Sequence, residues 1–403
     1  MRKEDSCPLL RLAWWSPWPP ARSGVAEYSL SLVEQLRRLA QVEVFVADDR
    51  AGRTVLSFDD VPVRPASDFW TQHARKAFDA AIFHLGNQAG HAYMADALVR
   101  TPCKRVAVLH DGSLYHLYEG VSRWRLLREI SAEEGWAAAW RAWRRMLLPG
   151  SDSYNHPLLR RICCASDLLI AHSAFLAERL RAVTKNRVEL VPYGATPFID
   201  DGGQLQAHAR RALSLPTDAV LFGVFGYVTA AKRVEQVIEA FTMSSLQQSW
   251  LYIAGEVGLL TPLAVRRWAD DPARCARHRI RFEPAYRTPL YVLLAMQAVD
   301  VGIVLRFPTT GETSAVLSDL LSMGKPVIVS DVGAFREVPD ECAIKVLVSK
   351  DEVADLVTAM RRLAFEPGLR AHMASAARMY SAQQTWSTVA RIYHRIVAQV
   401  CAQ

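Results

Sequence analysis

The sequence predicts an α/β protein made of two doubly wound parallel-sheet domains. Three observations point there. Twelve short aliphatic runs are apolar throughout, not alternating, as strands buried on both faces of a parallel sheet must be. Amphipathic stretches separate them, long enough for right-handed crossovers. The runs also fall into two groups of six, and 403 residues at ~150 per domain favour two domains.

The first group comprises Leu9–Trp15, Val42–Ala47, Ala80–Leu85, Arg105–Leu109, Asp167–His172 and Arg187–Val191. The second comprises Val220–Phe225, Trp250–Ala254, Ile280–Phe282, Val299–Leu305, Pro326–Ser330 and Ala343–Val348. Helices are expected over Ala26–Ala40 and Glu235–Phe241, and a last one, Trp386–Val400, has no strand after it. The boundary should follow Val191-Pro192-Tyr193-Gly194, because residues 195–218 are polar and turn-rich, a linker with a short helix. The domains are therefore expected at 1–195, completed by the terminal helix 380–403, and at 196–379.

Composition narrows the classes. Hydrophobic residues at 51% and charged residues at 22% describe an ordinary globular chain and exclude disorder and low complexity. No apolar run reaches the ~18 residues a membrane span requires. The start, MRKEDS, is mixed in charge, and the apolar stretch after it is broken by Arg11 and three prolines, unlike a signal peptide. Seven scattered cysteines form no C-x-x-C and no zinc spacing, which suggests reduced thiols and a cytoplasmic location. A net charge of +7 admits phosphorylated substrates or anionic membrane; duplex recognition signatures are missing, so nucleic acid is not expected as a partner.

Residues Ser122–Leu148 stand apart, with four of the eleven tryptophans and six arginines. Trp136, Trp140 and Trp143 recur at helical spacing on one face. The commoner cause of such a face is packing on the helix's own domain. The alternative is peripheral contact with the interface of an anionic bilayer, at the cytoplasmic side of the membrane.

In open α/β sheets ligands sit at the carboxyl ends of strands. Ser23-Gly24 opens the first helix, where free amides suit phosphate and glycine removes the blocking side chain. Asn87 follows one strand end, and His110 and Asp111 follow the next. In the second half, Gly226 is followed by Lys232 and Arg233 at a helix start, a plausible anion clamp. The most informative stretch is Gly311-Glu312-Thr313-Ser314. Placed at a helix N-terminus, the Thr313 and Ser314 amides can bind a diphosphate while Glu312 takes sugar hydroxyls. Asp319 lies seven residues on, nearly on the same helical face.

Together these pieces resemble the family-4 retaining glycosyltransferases of the GT-B fold. The order that carries the resemblance is Pro20-x-x-Ser23-Gly24-Val25-Ala26, His110-Asp111, Ala171-His172-Ser173 and Val191-Pro192-Tyr193-Gly194. It continues through Phe225-Gly226, Lys232-Arg233, Ala254-Gly255-Glu256, Gly311-Glu312-Thr313-Ser314, Gly324-Lys325-Pro326 and the closing Trp386. It spans essentially the whole chain. The resemblance implies two Rossmann-like domains facing across a cleft, the second holding a nucleotide-sugar donor and the first a glycan or lipid-linked acceptor. It implies that His110 and Glu312 act at the reacting centre. Gly24, Lys232, Arg233, Thr313 and Ser314 would hold the donor diphosphate. Asp319 and Glu256 would serve the ribose and nucleoside, and Asn87 and Asp111 the acceptor side. The implied reaction is transfer with retention to a hydroxyl acceptor, as in polysaccharide biosynthesis, with no cofactor and, since the chain has no D-x-D, no metal.

Three departures from the family pattern stand out. The two acidic positions are seven residues apart instead of eight, with Asp319 as the second; Tyr227 replaces an arginine; and Glu256 follows Gly255. The loss of one cation leaves a second expectation open, a non-catalytic protein of the same shape that binds glycan or membrane. A nucleotide-sugar epimerase or a sugar phosphorylase is the same-fold enzyme alternative.

Overall fold

The computed structural model describes residues 9–49, 58, 60–146, 153–198, 202–258 and 261–403. The MRKEDS start, Cys7, residues 147–148 of the tryptophan segment and 199–201 of the linker lie outside them. The chain divides into two compact units. The first takes residues up to Gly194 together with Thr310–Thr313 and Trp386–Gln403; the second takes Ala195–Thr309 and Ser314–Thr385.

The first unit is built on seven parallel strands: β1 Arg11–Trp15, β2 Gln41–Val46, β3 Val63–Pro65, β4 Ala80–Leu85, β5 Lys104–Leu109, β6 Leu168–Ala171 and β7 Arg187–Leu190. Their spatial order is β3-β2-β1-β4-β5-β6-β7. The chain winds outward from β1 in one direction and from β4 in the other, so the strand order reverses between β1 and β4. Side chains alternate between the faces. Ala13 and Trp15 pack with Phe45 and Phe83 on one side. Leu12 and Trp14 pack on the other with Tyr28 and with Val389 and Tyr393 of the helix Trp386–Cys401. Tyr28 and Tyr393 share a buried hydrogen bond of 2.9 Å, which fastens the terminal helix to this sheet. Gly194 is required here, because a Cβ would lie 2.2 Å from the Trp386 ring.

The second unit has six parallel strands: β8 Val220–Phe225, β9 Ser249–Ala254, β10 Ile280–Glu283, β11 Val301–Val304, β12 Val327–Ser330 and β13 Ala343–Val346. Their order is β10-β9-β8-β11-β12-β13, which places the reversal between β8 and β11. All twelve expected strands are present. The one missed, β3, is three residues long, half-buried and ends in proline, too short to carry a hydrophobic pattern.

Several expectations need correction. The first helix is Gly24–Leu36, beginning earlier and ending earlier than Ala26–Ala40, because Ser23 caps it by accepting from the Val25 amide. The tryptophan segment is two helices, Arg123–Glu134 and Trp136–Arg145, broken at Gly135 with φ of 92°. Its aromatic face does not pack on the domain. Ala138 and Ala142 are the buried side, while Trp124 and Trp136 are 79% and 77% exposed and Trp140 and Trp143 also face solvent, stacked on each other at 4.9 Å. The six described cysteines are free. No helix among the described residues is long and apolar enough to cross a membrane.

Candidate active site

The carboxyl ends of the second sheet carry a buried cation. After β8 the chain turns at Gly226, whose φ of 82° admits glycine alone without strain. A Cβ there would also lie 2.8 Å from Lys232 Nζ, so the glycine opens the space the ammonium fills. Lys232 ends the short 3-10 turn Ala230–Lys232, and its Nζ donates to the Phe225 carbonyl at 2.9 Å. The residue as a whole is half-buried, with its ammonium end set among protein atoms. Burial, helped by the nearby Arg306 charge, lowers its pKa from 10.5 to about 7. Arg306 follows β11, the strand across the reversal from β8, and its amide donates to Ser330 Oγ at the end of β12. The Phe307 amide donates to the Ala231 carbonyl, tying this loop to the Lys232 turn.

Arg233 does not join Lys232 as an open clamp. It sits in the left-handed region at φ 54°, and its Nε lies 2.7 and 2.8 Å from the Glu352 carboxylate oxygens. Glu352 is buried at the head of the helix Glu352–Phe365. The expected basic doublet is thus one buried lysine and one arginine already neutralised by a buried carboxylate.

The stretch after Gly311 also differs from expectation. The helix begins at Ala315, with Ser314 as its cap accepting from the Leu317 amide at 3.3 Å. Thr313 and Ser314 therefore precede the helix, and the amides aimed outward from its first turn are those of Ala315 and Val316, which take no acceptor among the described residues. Glu312 lies outside the helix, so it shares no helical face with Asp319. Its carboxylate accepts from the Thr310 amide at 2.9 Å and hydroxyl at 3.1 Å, and residues 310–313 group with the first unit. Asp319 is on the helix, and burial alone raises its pKa to about 6. Glu256 follows β9, half-buried, with its carbonyl held by the Val228 amide.

In the first unit, Gly24 is the first residue of its helix and a Cβ there would meet nothing within 4 Å. Among the described residues nothing crowds that position, so a larger side chain would fit there. Asn87 and Asp111 lock two strand-end loops together. The Asn87 amide donates to Asp111 at 2.8 Å, and Asn87 Oδ1 accepts from the His116 amide at 2.7 Å. Asn87 Oδ1 is thus committed to protein. His110 is 8% exposed, and its Nε2 meets His84 Nδ1 at 3.1 Å. Burial, then the neighbouring imidazoles, hold its pKa well below the ordinary value, so it is neutral at pH 7.

Solved structures of similar shape cover nearly the whole chain. A sucrose-phosphate synthase from Thermosynechococcus elongatus matches at a TM-score of 0.69 and 18% identity, over 98% of this chain and 99% of that one. The catalytic domain of starch synthase IV from Arabidopsis thaliana, bound to ADP and acarbose, matches at 0.68 and 13%, over 98% and 100%. HepE of Anabaena, in complex with UDP and glucose, matches at 0.65 and 15%, over 97% and 100%. The chain has the GT-B fold. In sequence, a D-inositol 3-phosphate glycosyltransferase of Xylanimonas cellulosilytica is 25% identical over 249 residues, a match spanning 59% of this chain and 58% of that protein. No protein-family model matches.

Four side chains that shape these ends escaped the sequence reading as site residues: His84, His172, Arg306 and Glu352. His84 and His172 stand at the ends of apolar strand runs, and nothing local assigns either a role. Glu352 meets Arg233 across 119 residues, and nothing local marks it. Arg306 carried a signal, a lone cation at a strand end of the second sheet, a few residues before Gly311.

Proposed function

We propose that the chain is a retaining, metal-independent glycosyltransferase of the family-4 type, moving a sugar from a nucleotide diphosphate to a hydroxyl of a glycan or lipid-linked glycan. One observation carries this reading: Lys232 is a half-buried lysine, its ammonium turned into the switch point of the second sheet, with no acidic partner among the described residues. A cation so placed costs several kcal/mol until an anion joins it. A diphosphate provides that anion, and the Ala315 and Val316 amides add donors at a helix N-terminus. As the sugar–phosphate bond breaks, negative charge grows on the leaving diphosphate. Lys232 and these amides stabilise it without reorganising. The acceptor hydroxyl adds to the anomeric carbon from the face the diphosphate leaves, and passes its proton to a phosphate oxygen. Glu312 and His110 contact the transferred sugar, and Asp319 the ribose. The relatives' names support the donor class: HepE binds UDP and glucose, and starch synthase IV binds ADP.

The exposed tryptophans with their arginines suit the headgroup region of an anionic bilayer, so the enzyme works at the cytoplasmic membrane face on a lipid-linked acceptor. Sedimentation with vesicles containing anionic lipid tests this. Serine at Trp124, Trp136, Trp140 and Trp143 should abolish binding while the fold is kept, and equal binding by that variant refutes the contact.

A calorimetric panel of UDP, ADP and GDP, followed by turnover of the matching nucleotide sugars, tests the function. Binding with transfer or slow hydrolysis supports it, and no binding by any member refutes it. A non-catalytic glycan- or membrane-binding protein is the second reading, favoured by Tyr227 and by the neutralised Arg233. Donor binding without any turnover selects it.

A further inference from the structure

Three imidazoles from adjacent strand ends are enclosed in the first unit. His84 lies in β4, His110 follows β5 and His172 follows β6, with ring centroids 5.3 Å apart for the first pair and 5.1 Å for the second. Tyr28 packs against all three at 4.9 to 5.6 Å, and Trp14 lies 4.2 Å from His84. The other titratable groups facing the cluster are His91, Tyr193 and, through Tyr28, Tyr393. Burial pushes His84 and His110 well below the ordinary histidine pKa and His172 to about 4, so all three are neutral at pH 7. Among the described residues no group of His, Cys, Asp and Glu is arranged to hold a metal, so these rings are not a ligand set.

Hydrogen-bond partners decide where each proton sits. His172 Nδ1 lies 2.9 Å from the Val191 carbonyl. A carbonyl only accepts, so Nδ1 carries the proton and the enclosed, unpartnered Nε2 is bare. His84 and His110 share one bond, His84 Nδ1 to His110 Nε2, which either ring could donate. If His110 donated, His84 would carry its own proton on Nε2, which is enclosed and has no acceptor. A buried N–H without an acceptor is the rarer and costlier defect, whereas a bare ring nitrogen is already accommodated next door in His172. His84 is therefore the donor. His110 must then hold its proton on Nδ1, a nitrogen bonded to nothing in the protein and not among the fully enclosed polar atoms.

We propose that His84 is a positioning residue: its Nδ1–H fixes the tautomer of His110, so that the first unit offers the bound sugar a hydrogen-bond donor at His110 Nδ1 and not a base. The sugar as ligand rests on the glycosyltransferase reading; the tautomer does not. A donor at this position grips a sugar hydroxyl oxygen and leaves the acceptor's proton to the departing phosphate.

The test uses the full chain labelled with 15N-histidine. Long-range 1H–15N spectra at pH 7 should show His110 protonated on Nδ1 and bare on Nε2, assigned by loss of its signals in H110Q. A proton on Nε2 overturns the proposal. His84→Leu removes the donor, and His84→Asn places an amide N–H where His84 Nδ1 stood. With UDP-glucose or ADP-glucose, whichever binds, H84L should lower kcat about 10–100-fold with little change in KM. H84N should restore both kcat and the Nδ1-protonated spectrum. Unchanged kcat in H84L, or no rescue by H84N, overturns the positioning role. Should H84L fail to fold, the wild-type spectrum and H84N still decide. If no nucleotide sugar binds, the glycosyltransferase reading fails while the spectrum still settles the tautomer.

Discussion

Lys232→Met is the perturbation with the most to say, because it should strengthen the fold and destroy binding together. In an unfolded chain the ammonium keeps its proton to about pH 10.5, and in the folded protein only to about pH 7. Between those values the unfolded state holds the extra proton, so stability rises with pH across that window. The burial cost is therefore fully present below pH 7 and gone above pH 10.5. A shift of 10.5 minus 7, at 1.36 kcal/mol per unit, puts that cost at about 5 kcal/mol. Methionine removes it but strands the Phe225 carbonyl, worth ~1–3 kcal/mol. The net gain is roughly 2–4 kcal/mol near pH 7, or roughly 5–15 °C in the melting of a unit this size. Binding moves the other way. A diphosphate beside Lys232 restores its proton, so the wild type must take one up when it binds above pH 7. Affinity for UDP or ADP should then fall by up to tenfold per pH unit, about 100-fold from pH 7 to 9. Calorimetry across that range, in buffers of different ionisation enthalpy, reads both the affinity and the proton. The outcome that would falsify this account is flat affinity with no proton uptake, or a K232M protein that melts lower and still binds.

Other substitutions test the remaining positions. Gly24→Ala should leave the fold intact or stabilise it by ~0.5–1 kcal/mol, since the site is open and helical. The same change should weaken donor binding at least tenfold, and retained affinity means the glycine serves no ligand. Asp319→Asn removes a carboxylate that burial holds near pKa 6; above that pH the ionised form opposes folding, and below the ordinary carboxylate value it does not. D319N should therefore raise urea stability by about 2 kcal/mol at pH 8, with no gain at pH 3.5 and weaker nucleotide binding at both. Glu352→Gln leaves the half-buried Arg233 beside a neutral partner and should cost about 2–3 kcal/mol in urea unfolding of the second unit, below the figure for a fully buried pair. A loss under 1 kcal/mol would show that the pair is not enclosed as described.

The fold was legible because parallel strands buried on both faces leave continuous apolar runs, and all twelve expected strands are present. The local geometry of the candidate site was legible only where the signal is local in the chain. Lys232 follows a strand and a glycine turn, and Gly24 follows a capping serine, so both could be singled out from the sequence. The pairing of Arg233 was not readable, because Glu352 reaches it from 119 residues away. The helix start after Gly311 was placed too early. Thr313 and Ser314 can both cap, and only the hydrogen bond from Leu317 to Ser314 decides between them. The tryptophan face was weighed toward the core because spacing reports that a face exists, not which way it turns. Ala138 and Ala142 on the opposite side are what turn it outward, since small residues let the helix pack close and carry the rings away from the domain.

The strand ends of the two units differ in their electrostatics. In the second, the sheet reversal holds a lysine that burial has driven to the edge of neutrality, and the arginine beside it is spent on Glu352. In the first, the three clustered histidines are neutral, so they supply directed hydrogen bonds and no charge. On the proposed reading, diphosphate at the reversal of the second sheet should bind weakly at high pH and gain electrostatic strength only as it restores the proton on Lys232. Binding and stabilisation are then coupled, because the anion relieves the burial cost that the free protein carries. At pH 8 the ammonium is charged in both the nucleotide-bound and the unfolded state, so unfolding of the complex moves no proton there, and saturating nucleotide should flatten the rise of stability with pH that the free protein shows between pH 7 and 10.5.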